Sequence, residues 1–339
     1  MTIKKWIKTW FMSSAIAIPT IIIINYIVDP LWTFSHSNSL NAKQKPFNER
    51  QQKTNHIYFN GFDDYDGILL GSSRTGYVNQ YEFHNMNIYN YATNNMYPHE
   101  YEGYVDFVKE TKGSALKYII IGADFYGTNV PKNLKFEKAQ FYIDNTKSFA
   151  YRYKMLFSFD ALKQSIKNIA NSFFGSRIYY DRDNIRYRPE VSAEKRMKRY
   201  KANLSKNFNT FKDKNYVYND DYIKYLQELK ENNKNIEFTI FTSPISANLL
   251  VSIIKNGNRF DEYERWLKEM IEVFGEVHHF MTINSITRNL ENYPDAEHYY
   301  PRIGKMLANE LSNTKNTDKQ DDFGIVLTKE NVNSYLKFL

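Results

Sequence analysis

Three residue types in this chain, set in two short motifs, could together run acyl chemistry. Gly71-Ser72-Ser73-Arg74 offers a serine hydroxyl directly after the apolar run Gly67-Ile68-Leu69-Leu70. Asp295-Ala296-Glu297-His298 offers an imidazole with a carboxylate three residues upstream. A serine becomes a nucleophile when a base takes its proton and an acid holds that base in the right tautomer. The expected assignment is Ser73 as nucleophile, His298 as base and Asp295 as orienting acid, with Ser72 as the alternative nucleophile. Ser73 lies one residue further into the turn and nearer the N–H groups of the helix expected to follow, which would also favour a developing oxyanion. Taken alone, either serine is better read as a helix cap.

The elements that must position these groups follow from hydrophobic pattern. Gly67–Leu70, residues 88–92, residues 118–121, residues 236–241 and residues 277–281 are short apolar runs. Residues 97–112, 221–234, 260–274 and 300–311 carry apolar positions at helical spacing. Continuous apolar strands alternating with helices predict an α/β fold, a doubly wound parallel sheet in a three-layer sandwich. Ligands of such sheets sit at the C-terminal strand ends. Those ends carry Asn90 and Asn94 after the second strand, and Gly122, Asp124 and Asn129 after the third. These five are the candidate oxyanion and binding residues. Other histidines are weaker candidates. His278 and His279 fall in a strand and point to opposite faces, while His84 and His99 fall on early connections.

The N-terminus carries a different signal. Lys4, Lys5 and Lys8 precede an uncharged run from Thr9 to Val28, with Trp6, Trp10, Tyr26 and Trp32 near its ends. Twenty helical residues span about 30 Å, the thickness of a bilayer's hydrocarbon core. The lysine asymmetry predicts a cytoplasmic N-terminus and an extracytoplasmic remainder. The only Ala-x-Ala site, Ala15-Ile16-Ala17, lies inside the run, which favours an uncleaved anchor over a cleaved signal peptide. The expected organisation is an anchor over residues 1–29, a polar stalk over 30–64 and an α/β domain over 65–312. A linker and docking segment over 313–339 completes it.

Composition excludes more than it assigns. Among 339 residues there is no cysteine, so there is no disulfide framework or thiolate metal site. No His/Asp/Glu spacing in the sequence predicts a metal, no cofactor is expected, and phosphate-loop and dinucleotide motifs are absent. The formal net charge is +7, yet an extracytoplasmic domain disfavours nucleic acid. An interruption at about 130–220 is basic and aromatic, with Arg177, Arg182, Arg186, Arg188 and Arg196 among its cations. It reads as a solvated helical insertion, or as a lid or surface for an anionic glycan or lipid headgroups.

The order of these blocks resembles the SGNH (GDSL-type) hydrolase superfamily over roughly residues 65–312. It is similar in particular to membrane-anchored envelope members that add or remove O-acyl groups on surface glycans. The resemblance implies that Ser73, third in its block, is the nucleophile, with His298 and Asp295 completing the triad. Ser72 stands where most members have aspartate, a variant also found in the D-alanylation proteins of Gram-positive walls. Two departures bear on the oxyanion hole: the second block has no clear glycine, and Asp124 stands where most members have asparagine. The implied function is a membrane-anchored extracytoplasmic serine esterase or O-acyltransferase. Its partners would be the bilayer, an acylated envelope glycan or wall polymer and a membrane acyltransferase. The alternative is a non-catalytic scaffold assisting such an acyltransferase or polysaccharide assembly.

Overall fold

The computed structural model describes residues 2–130, 136–175, 178–312 and 322–339. Two compact units are present, one of residues 1–62 with 138–189, the other of residues 63–137 with 190–339.

The larger unit is α/β, built on a six-stranded, mostly parallel sheet. Its strands are β1 (Gly67–Gly71), β2 (Ile88–Asn90), β3 (Tyr118–Ala123), β4 (Glu237–Thr242), β5 (Glu276–His279) and β6 (Ile325–Thr328). Their spatial order is β2-β1-β3-β4-β5-β6, parallel except for the antiparallel edge strand β6. The order reverses between β1 and β3, which makes that point the crevice where an open α/β sheet takes a ligand. Leu69 lies in register with Ile120, and both enter one apolar cluster with Phe241, Tyr299, Ile303 and Leu307. Ile68, Ile119 and Ile121 point to the other face and are equally buried. Burial on both faces is why these strands read as unbroken apolar runs.

The docking segment expected at the C-terminus packs on the α/β domain itself: β6 completes the sheet. The Tyr335 hydroxyl lies 3.0 Å from Nε2 of His279, a residue of β5. That histidine is fully buried, also meeting Thr242 Oγ1 and Tyr263 OH, and burial pushes its pKa down to about 3. It is a neutral core residue. Residues 313–321, the start of the expected linker and docking segment, lie outside the described residues, as does Arg177.

The smaller unit overturns the stalk. Residues 30–62 fold with the helix Ile3–Val28 and with residues 138–189. Asn48 caps the helix Glu49–Asn60, whose Glu49 to Asn55 stretch is buried throughout. The polar composition that suggested exposure is instead an internal hydrogen-bonding set. Gln44, Gln52 and Asn55 donate to the carbonyls of Val28, Pro30 and Leu31 at 2.7, 2.8 and 2.8 Å. Buried polar groups are tolerated when so paired. The expected solvated insertion is likewise divided. Arg182 pairs with the buried Asp29 at 2.8 Å inside this unit. The helix Ala193–Phe211 belongs to the larger one.

Among the described residues, one helix, Ile3–Val28, is long and apolar enough to cross a membrane.

Candidate active site

The sequence ends β1 at Gly71 for a steric reason. Its φ is +149°, a conformation that side chains disfavour, and a Cβ there would stand 2.8 Å from Thr75 Cβ and 2.9 Å from the Gly122 carbonyl. Gly122, its register partner on β3, is crowded by the same threonine. The chain therefore turns tightly over the strand ends and carries Ser72, Ser73 and Arg74 across the switch point.

The turn does not open a long helix. A single 3-10 turn, Thr75–Tyr77, follows. Asn90 explains this: its amide donates to the carbonyls of Thr75 (3.1 Å) and Val78 (2.7 Å). Those carbonyls would otherwise accept from a continuing helix. The helix dipole expected behind the serine is accordingly absent, and Asn90 is committed to the turn rather than turned to a ligand.

The two serines divide cleanly. Ser72 is 2% exposed; its hydroxyl donates to Asp124 and accepts from the Arg74 N–H at 3.2 Å. Ser73 is half-buried, and its Oγ lies 2.9 Å from Nε2 of His298, 225 positions away in sequence. Nδ1 of His298 lies 3.0 Å from Oδ1 of Asp295. That carboxylate oxygen also accepts the N–H groups of His298 (2.8 Å) and Glu297 (3.1 Å). One acid thus folds the chain into a turn and orients the ring, which gives the three-residue spacing its physical meaning. Tyr77 meets the imidazole edge-on at 6.2 Å between ring centres.

The loop carrying the histidine is anchored on both sides. Ser246 donates its N–H and its hydroxyl to the Ala296 carbonyl at 3.1 and 3.0 Å. Tyr200, on the helix Ala193–Phe211, donates to the Ser246 hydroxyl at 3.0 Å. After the loop, the helix Pro301–Leu311 rests directly on the turn after Ser73. A Cβ on Gly304 would lie 2.8 Å from the Tyr77 carbonyl carbon and 3.0 Å from Val78 Cα. A side chain there would collide with that turn.

Electrostatics join the pieces. Arg74, 5% exposed, pairs with Asp124 at 2.9 Å and with Glu297 at 3.4 Å, and its Nε donates to the Glu297 carbonyl at 2.9 Å. Its guanidinium carbon lies 5.0 Å from the centre of the Tyr126 ring. Burial opposes the Arg74 charge, but Asp124 and Glu297 more than compensate and hold it. Burial likewise opposes the Glu297 charge. The His298 ring, Arg74 and a hydrogen bond from Asn203 (2.6 Å) outweigh it, so this carboxyl titrates below its ordinary value.

Of the candidate binding residues, Asp124 faces Ser72 and Arg74 as an anion and offers no oxyanion donor. Asn129 is spent on a neighbouring loop, donating to the Asn215 carbonyl and accepting from Val217 N–H. Asn94 is half-buried on the loop after β2. The preceding Thr93 N–H binds the Gly71 carbonyl at 3.1 Å, which sets this loop beside the serine turn. Arg74, Glu297, Asn203 and Tyr126 were not singled out from sequence. The signal for two of them was a charged residue inside each motif: an arginine after the serine, a glutamate before the histidine.

Asp295, Glu297 and His298 also bring ligand-type atoms within 4.8 Å of one another, a cluster that the sequence spacing did not suggest. Its members already hold each other, Arg74 and Asn203.

Comparison with family models, characterised proteins and solved structures finds no match to this chain.

Proposed function

We propose that this protein is an SGNH-type serine esterase or O-acyltransferase, anchored by its first helix and working outside the cytoplasm on an acylated envelope glycan. The observation that carries this reading is the continuous relay from Ser73 Oγ to His298 Nε2 (2.9 Å) and from His298 Nδ1 to Asp295 (3.0 Å). Both distances fall within the reach that proton transfer requires. The relay lies at the switch point of the sheet, where this architecture takes ligands.

In this mechanism His298 takes the Ser73 proton as Oγ attacks the ester carbonyl, and Asp295 stabilises the imidazolium. The tetrahedral intermediate collapses as His298 returns the proton to the leaving alkoxide, leaving an acyl-serine. Water then yields hydrolysis and a sugar hydroxyl yields transfer, each activated by the same histidine. Asn94 and main-chain N–H groups of the β1 and β2 loops are the donors assigned to the oxyanion.

A serine-directed fluorophosphonate tests the reading. It should form one adduct, mapped by mass spectrometry to Ser73, and Ser73→Ala should abolish it. An adduct elsewhere, or none with the folded wild-type chain, would reject the enzyme.

That second result would favour the non-catalytic scaffold. The observation on its side is that Asn90, Asp124 and Asn129, three expected oxyanion residues, are held in structural contacts.

A further inference from the structure

The helix Phe159–Phe174 in the smaller unit is amphipathic the wrong way round for water. Its buried positions are Ala161, Gln164, Ser165, Asn168 and Asn171. Its outward face carries Phe159 (74% exposed), Ile166 (55%) and Phe173 (70%), with Phe174 at 89%. At 100° per residue, Phe159, Ile166 and Phe173 fall on one line, and half-buried Leu162 and Ile169 flank it. A helix in water turns such a stripe inward. Just before it, Phe149 (89%) and Phe157 (56%) are exposed as well.

The inner face of this helix docks on the end of the N-terminal helix. Asn25 donates to the carbonyls of Leu156 and Ser158 at 2.9 and 3.0 Å and accepts from Ser165 Oγ at 3.0 Å. In Ile3–Val28, burial begins only at Ile21 apart from the half-buried Ser14. The free apolar stretch from Thr9 to Thr20 is about 18 Å long. A hydrocarbon core needs about 30 Å. With Lys4, Lys5 and Lys8 held outside the core, the deficit is met only if the last two turns, Ile21–Val28, also lie at membrane depth. The elements packed on those turns then lie at that depth too.

We propose that the outer face of Phe159–Phe174, with Phe149 and Phe157, is immersed in the same bilayer that Ile3–Val28 crosses, at the leaflet boundary next to Val28. The smaller unit is thus a membrane-embedded collar and not a spacer. Exposed Lys163 and Lys167 flank the stripe, placed to extend their stems along it and reach lipid phosphates. The polar inward face suits this setting, because hydrogen-bonding groups are best satisfied inside the protein when lipid lies outside. The proposal rests on the anchor reading of Ile3–Val28 and not on the chemistry of Ser73.

The chain has no cysteine, so single labels can be placed without a background. The full chain is reconstituted in phosphatidylcholine–phosphatidylglycerol vesicles, with a nitroxide on Phe159→Cys, Ile166→Cys or Phe173→Cys in turn. Ile16→Cys serves as the anchor reference and Glu228→Cys as the aqueous reference. Collision with oxygen, which concentrates in lipid, is compared with collision with an aqueous nickel chelate. The expected result is oxygen-dominated relaxation at 159, 166 and 173 as at 16, at depths of about 5–10 Å below the headgroups. Nickel-dominated relaxation at all three positions, with Ile16 still in lipid, overturns the collar and leaves the anchor standing. Shielding from both reagents that disappears on dilution into excess lipid assigns the stripe to a second copy of the chain and also overturns it. If Ile16 itself meets nickel, anchor and collar fall together.

Discussion

Arg74 and Asp124 form an ion pair of 2.9 Å between side chains only 6% and 4% exposed. The pair ties the turn after β1 to the end of β3, and the same guanidinium reaches the main chain of the histidine loop at Glu297. Arg74 is therefore a positioning residue that joins three loops. Breaking such a buried pair from one side costs about 3–5 kcal/mol, whereas replacing both partners by apolar groups is close to neutral. Arg74→Met should lower the urea midpoint accordingly, and Arg74→Met with Asp124→Leu should recover part of it, because Ser72 and Glu297 still lose a partner. If the positioning role is right, the double variant stays slow in fluorophosphonate labelling despite its partly restored stability, because the Glu297 anchor is still gone.

The adjacent serines should behave oppositely. Ser73→Ala removes the hydroxyl next to His298 and should lower turnover by about a thousandfold or more with little change in melting temperature. Ser72→Ala strips a buried donor from Asp124, so it should cost about 1–3 kcal/mol of stability. If Ser72→Ala is the inactive variant and Ser73→Ala retains activity, the nucleophile is misassigned. A chelator should leave labelling of the wild type unchanged.

Asp295 serves both its turn and the ring, and two substitutions separate the roles. Asp295→Asn keeps an oxygen for the Glu297 and His298 N–H groups but loses the carboxylate at Nδ1. It should remain folded, with turnover lower by about ten-thousandfold, as expected when the wrong tautomer is held. Asp295→Ala should lose stability in addition. Equal melting temperatures for the two variants would mean that the turn does not depend on this side chain.

Glu297 makes a pH-dependent contribution. Burial raises its carboxyl pKa, but His298, Arg74 and Asn203 together outweigh burial and hold it below its ordinary value. A carboxyl depressed in the folded state adds stability that is fully present above the unfolded value of about 4.3 and is lost as pH falls through the folded one. Glu297→Gln should therefore be less stable than wild type at neutral pH, and the gap should close below about pH 4. A gap that persists unchanged into acid would assign the loss to packing.

The sheet was legible because its strands are buried on both faces, which leaves unbroken apolar runs such as Tyr118–Ile121. The helix Phe260–Phe274 matched its pattern for a related reason: Tyr263, Trp266, Leu267, Met270 and Ile271 all face the core. The smaller unit was not legible, since its interior is polar. Gln44, Gln52 and Asn55 look like solvated residues until their carbonyl partners are known, and those partners lie more than ten positions away. At the site, the meeting of Ser73 and His298 followed from block order, but the duties of Asn90 and Asn129 did not. An asparagine at a strand end serves a turn or a ligand equally well, and only its hydrogen-bond partners separate the two uses.

The contact at Gly304 gives the most direct test of how the helix Pro301–Leu311 sets the site. Because a Cβ there would sit 2.8 Å from the Tyr77 carbonyl carbon, Gly304→Val must push this helix away from the turn that follows Ser73. Overpacking of this kind costs about 1–3 kcal/mol, which leaves a domain of this size folded. His298 lies three positions before the start of that helix, so its ring should move with it. A displacement of about 1 Å between reacting groups is enough to cost about a hundredfold in rate. The expected signature is a folded protein whose labelling rate falls far more than its stability. An Ala substitution should produce a smaller version of both effects. If Gly304→Val labels at the wild-type rate while its melting temperature falls, the strain has been absorbed elsewhere, and the helix does not set the distance between Ser73 and His298.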